Sequence, residues 1–98
     1  MDLGLAAKVR PALVLSVPPG EGDRALATLV PHTTSLRGSR FEVVCPVRFL
    51  PAGGFDAQSI VTVPLAKLVR PLGVLPQAEL RRVEDGVYDW LGLRKPSP

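Results

Sequence analysis

The stretch Phe41-Glu42-Val43-Val44-Cys45-Pro46-Val47-Arg48 decides the fold class of this chain. Its first, third, fifth and seventh side chains are apolar and share one face of an extended backbone, whereas Glu42, Val44 and Pro46 share the other. Successive side chains of a β-strand point to opposite faces, so a period of two indicates a strand. The stretch therefore predicts a β-strand with one buried face.

Short apolar segments on both sides of this stretch predict that the rest of the domain is mainly β. Eleven Pro and nine Gly interrupt the chain, as is typical of short strands joined by tight turns. Further strands are predicted at Val9 to Val17, Ala25 to Pro31 and Ser59 to Leu65, and a turn at Pro51 to Gly54. The strand at Ser59 to Leu65 is apolar on both faces, which favours a central position in a closed or covered sheet.

After Pro76 the apolar period lengthens from two to between three and four residues, which predicts one amphipathic helix of about four turns. The apolar stripe consists of Leu80, Val83, Val87, Trp90 and Leu91. Pro76 suits the first turn, Gly92 suits a left-handed cap, and Leu93 suits the residue that completes a Schellman motif. We expect the stripe, Trp90 included, to pack the helix onto the sheet rather than to bind a ligand.

Length and composition limit the function classes. With 98 residues the chain has room for one domain, which we expect at residues 1–93 with a disordered tail at 94–98. The formal charge of +3 is compatible with a polyanionic partner but does not require one. No apolar run approaches the ~20 residues of a membrane span, and residues 2–7 do not resemble a signal peptide. A cytoplasmic protein with no membrane contact is expected.

Several kinds of catalytic site are absent from the sequence. Cys45 is the single cysteine and His32 the single histidine, which argues against an intramolecular disulfide, a metal cluster and two-histidine ribonuclease chemistry. Cys45 is expected to be a small buried apolar residue. No phosphate-binding loop and no nucleophile elbow is present, and the carboxylates Glu42 and Asp56 are far apart in sequence. We expect no cofactor and no metal.

Two motifs remain. Lys8-Val9-Arg10-Pro11-Ala12-Leu13-Val14-Leu15-Ser16 is a basic stretch ending in Arg-Pro that opens an apolar strand, and Leu29-Val30-Pro31-His32-Thr33-Thr34-Ser35 ends a second strand. Together they resemble the MazF/PemK toxins of bacterial toxin–antitoxin pairs. The segments Gly53 to Asp56, Gln58 to Val63 and Leu75 to Leu93 agree with that pattern.

This resemblance implies an SH3-like small barrel with one C-terminal helix, often a homodimer. It also implies an endoribonuclease that cleaves single-stranded RNA without metal through the 2′-hydroxyl. An acidic antitoxin protein would be its partner, and operator DNA would be bound only through the antitoxin complex.

The resemblance also implies roles for individual residues. Arg10 matches the family's catalytic arginine and Thr33 its catalytic threonine. His32 is a candidate assistant for a different reason, because an imidazole suits proton transfer near neutral pH. The expected RNA-binding residues are Lys8, Ser35, Arg37 and Arg40. The residues themselves leave alternatives open: Arg10 as a solvated strand-edge residue, Thr33 as a loop cap, and His32 as a packed side chain that strand alternation points away from Thr33.

The chain also departs from the family pattern. The usual first strand, of the type Gly-Asp-apolar-aromatic-apolar, does not precede Asp2, so either the start codon was assigned too late or the barrel has an open edge. Pro64 to Arg70 replaces the family's acidic-Gln-apolar-Arg segment. Two other functions are therefore considered: a catalytically inactive barrel that binds nucleic acid or antitoxin, and a gyrase poison that resembles CcdB and acts through the C-terminal end of the helix.

Overall fold

The computed structural model describes residues 10–93. Within this range the elements are β1 (Ala12–Val14), β2 (Leu26–Thr33), β3 (Glu42–Val44), β4 (Gly54–Asp56), β5 (Val61–Pro64) and α1 (Gln77–Leu91). Single 3-10 turns at Ala57–Ser59 and Leu65–Lys67 follow β4 and β5. The part of the chain so described contains no helix long and apolar enough to span a membrane. The tail predicted at 94–98 lies outside the described residues.

The long strand β2 organises the sheet, and every pairing between the strands just named is antiparallel. Leu13 of β1 lies opposite Val30, and Ala27 near the start of β2 lies opposite Val63 of β5. The end of β2 pairs with β4, where His32 lies opposite Phe55, and β4 pairs in turn with β3. The predicted mainly β architecture with one C-terminal helix is confirmed.

Strands β1 and β3 are shorter than the apolar patterns predicted, whereas β2 extends two residues beyond the predicted end at Pro31. Of the stretch predicted as Val9 to Val17, Ala12–Val14 forms a strand in the described residues, and of Phe41 to Arg48 only Glu42–Val44 does. The predicted alternation nevertheless holds, because Val43, Cys45 and Val47 are buried while Val44 and Pro46 are exposed. An extended backbone against the core is enough to bury alternate side chains. A β-strand also needs a hydrogen-bonded partner, and β4 pairs with only three residues of this stretch.

No strand was predicted at β4, and its first residue was expected to end the turn at Pro51 to Gly54. Its first residue, Gly54, is buried, and a Cβ there would lie 2.8 Å from the carbonyl oxygen of Val43. A Cβ at Gly53 would overlap the carbonyl oxygen of Thr33. The two glycines therefore mark a close approach of three backbone segments rather than a turn.

The predicted central position of the strand Ser59 to Leu65 is wrong for the described residues. There β5 spans Val61–Pro64 and pairs with β2 alone. Val61, Thr62 and Pro64 are exposed. Apolar residues on both faces of a short segment do not distinguish a covered strand from an edge strand, and the proline, which lacks an N–H donor, is common at edges.

The core lies between the sheet and α1. It consists of Val30, Val43, Cys45, Val47, Phe55, Ala57, Val83 and Val87. The predicted helix cap is confirmed, because Gly92 has φ of 70° and the N–H of Leu93 donates to the carbonyl of Tyr88 at 2.9 Å. The predicted burial of the helix stripe holds for its first half only, since Trp90 is 40% exposed and Leu91 47%.

Candidate functional site

A groove of about 460 Å³ opens where β1 and the end of β2 meet. It is lined by Arg10, Pro11, His32, Thr33, Thr34, Ser35, Arg37, Glu42, Pro51 and Asp56. The backbone N–H of His32 donates to the carbonyl of Pro11 at 3.0 Å, and this bond fixes Arg10 beside the end of β2. The structure thus brings together five of the seven site residues expected from the sequence.

Thr33 ends β2 at the mouth of the groove. Its Oγ1 accepts a hydrogen bond from the backbone N–H of Ser35 at 3.0 Å, so the predicted loop-capping role is observed. A hydroxyl has two acceptor sites and one proton to donate. Capping uses one acceptor site of the hydroxyl, and its proton is not needed for this bond.

His32 lies beneath Thr33 and is only 4% exposed. Its ring packs edge-to-face on Phe55, with centroids 5.2 Å apart. Burial lowers the pKa of the imidazole below its ordinary value, so the ring is neutral at pH 7. Nε2 is buried and has no hydrogen-bond partner among residues 10–93. As expected from strand alternation, the side chains of His32 and Thr33 lie on opposite faces of β2: His32 is buried and Thr33 is partly exposed. Both residues nevertheless line the same groove.

Glu42 organises the loop that joins β2 to β3, a role that the sequence analysis missed. Its Oε1 accepts the backbone N–H groups of Arg37, Gly38 and Ser39 at 2.9, 2.8 and 2.9 Å. Gly38 adopts φ of 83°, which lets three successive N–H groups converge on one carboxylate. The run Arg37-Gly38-Ser39 shortly before the carboxylate of Glu42 could have indicated this loop. The alternation of apolar residues showed only that Glu42 lies on the outer face of a strand.

Asp56 is the cross-strand neighbour of Glu42, so two carboxylates that are far apart in sequence meet at the groove. The carboxylate of Asp56 accepts the backbone N–H of Gln58 at 3.1 Å and the hydroxyl of Ser59 at 2.8 Å. Both acids therefore have local structural tasks. Among residues 10–93 no group of three or more His, Cys, Asp or Glu is arranged to hold a metal ion.

Two of the predicted RNA-binding residues are not part of the groove as described. Lys8 lies outside the described residues. Arg40 points elsewhere: its guanidinium carbon lies 4.5 Å from the centroid of the Phe41 ring. Phe41 in turn packs edge-to-face on Trp90, with centroids 5.3 Å apart. Ser35 and Arg37, in contrast, line the groove as expected.

The fold is that of the MazF-type toxins. A chain of the complex of an endoribonuclease with its cognate antitoxin from Mycobacterial species is similar over 97% of this chain and 90% of that chain, with 26% identity and a TM-score of 0.78. A chain of the MazE–MazF complex (Form-III) from Deinococcus radiodurans is similar over 87% of both chains, with 28% identity and a TM-score of 0.74. The Mycobacterium tuberculosis toxin MazF-mt6 is similar over 88% of this chain and 89% of that chain, with 25% identity and a TM-score of 0.73.

The sequence places the chain in one family. Residues 4–91 match the PemK-like, MazF-like toxins of type II toxin-antitoxin systems. The chain belongs to this family, and the resemblance expected from its motifs is confirmed. No match was found among curated proteins.

Proposed function

We propose that this protein is the toxin of a type II toxin–antitoxin pair and acts as a metal-independent endoribonuclease on single-stranded RNA. One observation carries the proposal: Arg10, His32 and Thr33 line a single groove that also holds Ser35 and Arg37. The groove thus offers positive charge, a hydroxyl and one imidazole to a bound phosphodiester. Family membership supports the same function.

In the proposed reaction the 2′-oxygen of the RNA attacks the adjacent phosphorus, and the bond from phosphorus to the 5′-oxygen breaks. The products are a 2′,3′-cyclic phosphate and a free 5′-hydroxyl. Negative charge grows on the two non-bridging oxygens, where the guanidinium of Arg10 offers a planar fork of donors. The hydroxyl of Thr33 donates to the same phosphate. A guanidinium is a poor proton acceptor, so Arg10 is assigned to charge stabilisation and not to the role of base.

The proton of the 2′-hydroxyl needs an acceptor, and we assign that role to His32. A neutral imidazole accepts a proton, whereas an imidazolium does not, and burial keeps His32 neutral at pH 7. It is also the single histidine of the chain. The leaving 5′-oxygen takes its proton from water, and the hydroxide that remains takes the proton held by His32, so both groups return to their starting state.

The partners follow from the same groove. An acidic antitoxin would neutralise the exposed Arg10 and Arg37 and cover the RNA site. Two of the similar structures are complexes of such a toxin with its antitoxin. We further propose a cytoplasmic homodimer that contacts operator DNA only through the antitoxin complex, on the basis of family resemblance.

The test is incubation of the purified protein with a long single-stranded RNA in EDTA, followed by mapping of the fragment ends. Wild type is compared with Arg10→Ala and with Arg48→Ala. Arg48 is exposed and does not line the groove, so its removal changes the net charge equally without touching the site. We expect discrete cuts with cyclic phosphate ends in wild type and Arg48→Ala, and a loss of about 10² to 10³-fold in Arg10→Ala.

Other results would point to the other functions. Intact RNA that still binds folded wild-type protein in a salt-sensitive manner would indicate a binding-only barrel. Growth arrest that survives Arg10→Ala but is abolished by Trp90→Ala would indicate a poison that acts through the end of the helix.

A further inference from the structure

Arg40, Phe41 and Trp90 form a cation-aromatic stack outside the groove, which we call the Trp90 platform. The guanidinium of Arg40 covers one face of Phe41 at 4.5 Å, and Trp90 meets the same ring edge-to-face at 5.3 Å. Trp90 is 40% exposed although it belongs to the apolar stripe of the helix. We propose that this platform is a stacking subsite for a nucleobase of the single-stranded RNA whose scissile phosphate lies in the groove.

The fold builds the platform through a close contact between helix and sheet. A Cβ at Gly86 would lie 2.9 Å from Cγ2 of Val43, so glycine at this position lets α1 approach β3. Trp90 follows Gly86 by one helical turn on the same face. It therefore reaches Phe41, the residue before β3, instead of the core. The contact with Phe41 and the close approach of α1 to β3 hold the indole at the surface.

The charge and geometry of the platform favour a nucleobase as its occupant. Bases stack on aromatic rings and on arginine planes, and each stacked base stabilises binding by an amount that depends little on its identity. The cation of Arg40 suits the phosphates that accompany a base. A purely apolar partner would gain nothing from that charge.

The platform follows the groove closely along the chain. Arg37 lines the groove, and Arg40 follows three residues later, a span of at most ~10 Å of backbone. The connecting loop is fixed, because Glu42 accepts the N–H groups of Arg37 and Ser39, and the hydroxyl of Ser39 accepts the N–H of Phe41 at 3.1 Å. We therefore expect an RNA strand of about ten nucleotides to reach from the groove to the platform. This inference rests on the proposed function, since it assumes that RNA occupies the groove.

Trp90 is the only tryptophan in the chain, so its fluorescence reports on the platform directly. We would titrate the full-length protein with 2′-O-methyl RNA, which has no 2′-hydroxyl to react, in two lengths of about 4 and about 10 nucleotides. Binding is followed by anisotropy of a label on the RNA and, separately, by Trp90 emission. The longer strand should bind about tenfold more tightly and quench the emission, whereas the shorter one should occupy the groove alone.

Variants separate stacking from folding. Trp90→Leu keeps an apolar contact with Phe41 and should remove the tenfold advantage of the longer strand without changing the affinity of the shorter one. Arg40→Gln keeps the tryptophan and should weaken the longer strand several-fold while reducing the salt dependence. Tyr88→Leu is the matched control, because Tyr88 is an exposed aromatic residue of the same helix outside the platform, and it should leave both affinities unchanged.

The outcomes distinguish the two proposals. RNA that binds with unchanged Trp90 emission, and with the same length dependence in Trp90→Leu, would overturn the platform and leave the proposed function intact. In that case the exposed surface around Trp90 would be assigned to a protein partner instead of RNA. Failure of both lengths to bind wild type would overturn the proposed function and the platform with it.

Discussion

Glu42 holds Arg37 by its backbone: both carboxylate oxygens accept the N–H of Arg37, at 2.9 and 3.0 Å. The same carboxylate accepts the N–H groups of Gly38 and Ser39, so one side chain replaces the backbone partners that the loop between β2 and β3 lacks. Because the loop carries Ser35 and Arg37 to the groove, its order determines where these residues meet a substrate.

Glu42→Gln should therefore weaken both stability and RNA binding. The amide replaces an acceptor oxygen by an NH2 group that faces backbone donors, and the charge that strengthens the remaining bonds is lost. We expect the free energy of unfolding in urea to fall by about 2 kcal/mol. The KM for RNA should rise several-fold while kcat changes little, because Glu42 positions the loop and takes no part in proton transfer.

The control for this variant is Glu21→Gln, which removes an exposed carboxylate from the turn between β1 and β2. It should change neither quantity. Equal unfolding curves for Glu42→Gln and wild type would contradict the role assigned to the carboxylate.

Gly53→Ala should displace the residues at the end of β2 that line the groove. A Cβ at this position would overlap the carbonyl oxygen of Thr33 and lie 3.1 Å from Cε1 of His32, so the backbone at the end of β2 must move. We expect a loss of about 2 kcal/mol in unfolding free energy. Cleavage should fall by up to about 10²-fold, because small displacements of a catalytic group are costly.

Gly20→Ala tests whether this effect is local. The added Cβ would meet only Oδ2 of Asp23, at an ordinary 3.5 Å. Its unfolding and cleavage should match those of wild type. If Gly53→Ala also matched wild type in unfolding and cleavage, the backbone at the end of β2 could move to accommodate the added Cβ, and the close packing around it would not be essential.

How far the sequence predicted the fold depends on the range of the interactions involved. The burial of Val43 and Val47 and the left-handed cap at Gly92 follow from local rules, and both are confirmed. β4 was missed because Gly53 and Gly54 are needed for close contacts with Thr33 and Val43, which are distant in sequence. The exposed position of β5 likewise depends on which strands flank it, and no local pattern contains that information.

The candidate site divides in the same way. Arg10, Thr33 and Ser35 could be named because family motifs mark them, and the structure brings them to one groove. The tasks of Glu42 and Asp56 were missed because they arise from backbone donors and cross-strand pairing, which appear only in the folded chain. Arg40 was placed by its charge alone, and its contact with Phe41 draws it away from the groove.

The pH dependence of cleavage tests His32. Burial lowers its pKa below the ordinary 6.5, so the ring is neutral above that pH and becomes protonated only at lower pH. If neutral His32 accepts the proton of the 2′-hydroxyl, kcat/KM should fall on the acidic side with a midpoint below 6.5. His32→Gln should be about 10²-fold slower and should lack this acidic limb.

Folding has to be separated from chemistry in this experiment. A lowered folded-state pKa means that the unfolded chain binds the proton more tightly, so stability also falls as the pH drops below about 6.5. Rates should therefore be compared only where circular dichroism indicates a folded protein. A variant that keeps the acidic limb, or that cleaves at the wild-type rate, would remove His32 from the mechanism.

Cys45 offers a test at alkaline pH. The thiol is 1% exposed, and its Sγ donates a hydrogen bond to Oε2 of Glu79 at 3.0 Å. Burial, together with this bond and the charge of Glu79, raises the pKa of the thiol from 9.0 to about 11. Because the folded-state pKa exceeds the unfolded one, the contribution of the thiol to stability is complete below pH 9 and is lost as the pH rises towards 11.

Urea denaturation of wild type should therefore show that the free energy of unfolding falls across this pH range. Cys45→Ala should lack this fall, although at pH 7 it should be less stable than wild type by about 1 kcal/mol. All other ionisable groups are common to both proteins, so the difference between the two curves isolates the thiol. Parallel curves would mean that the thiol ionises in the folded state as easily as in the unfolded one. The contact that joins Cys45, the residue after β3, to the first turn of α1 would then contribute only packing.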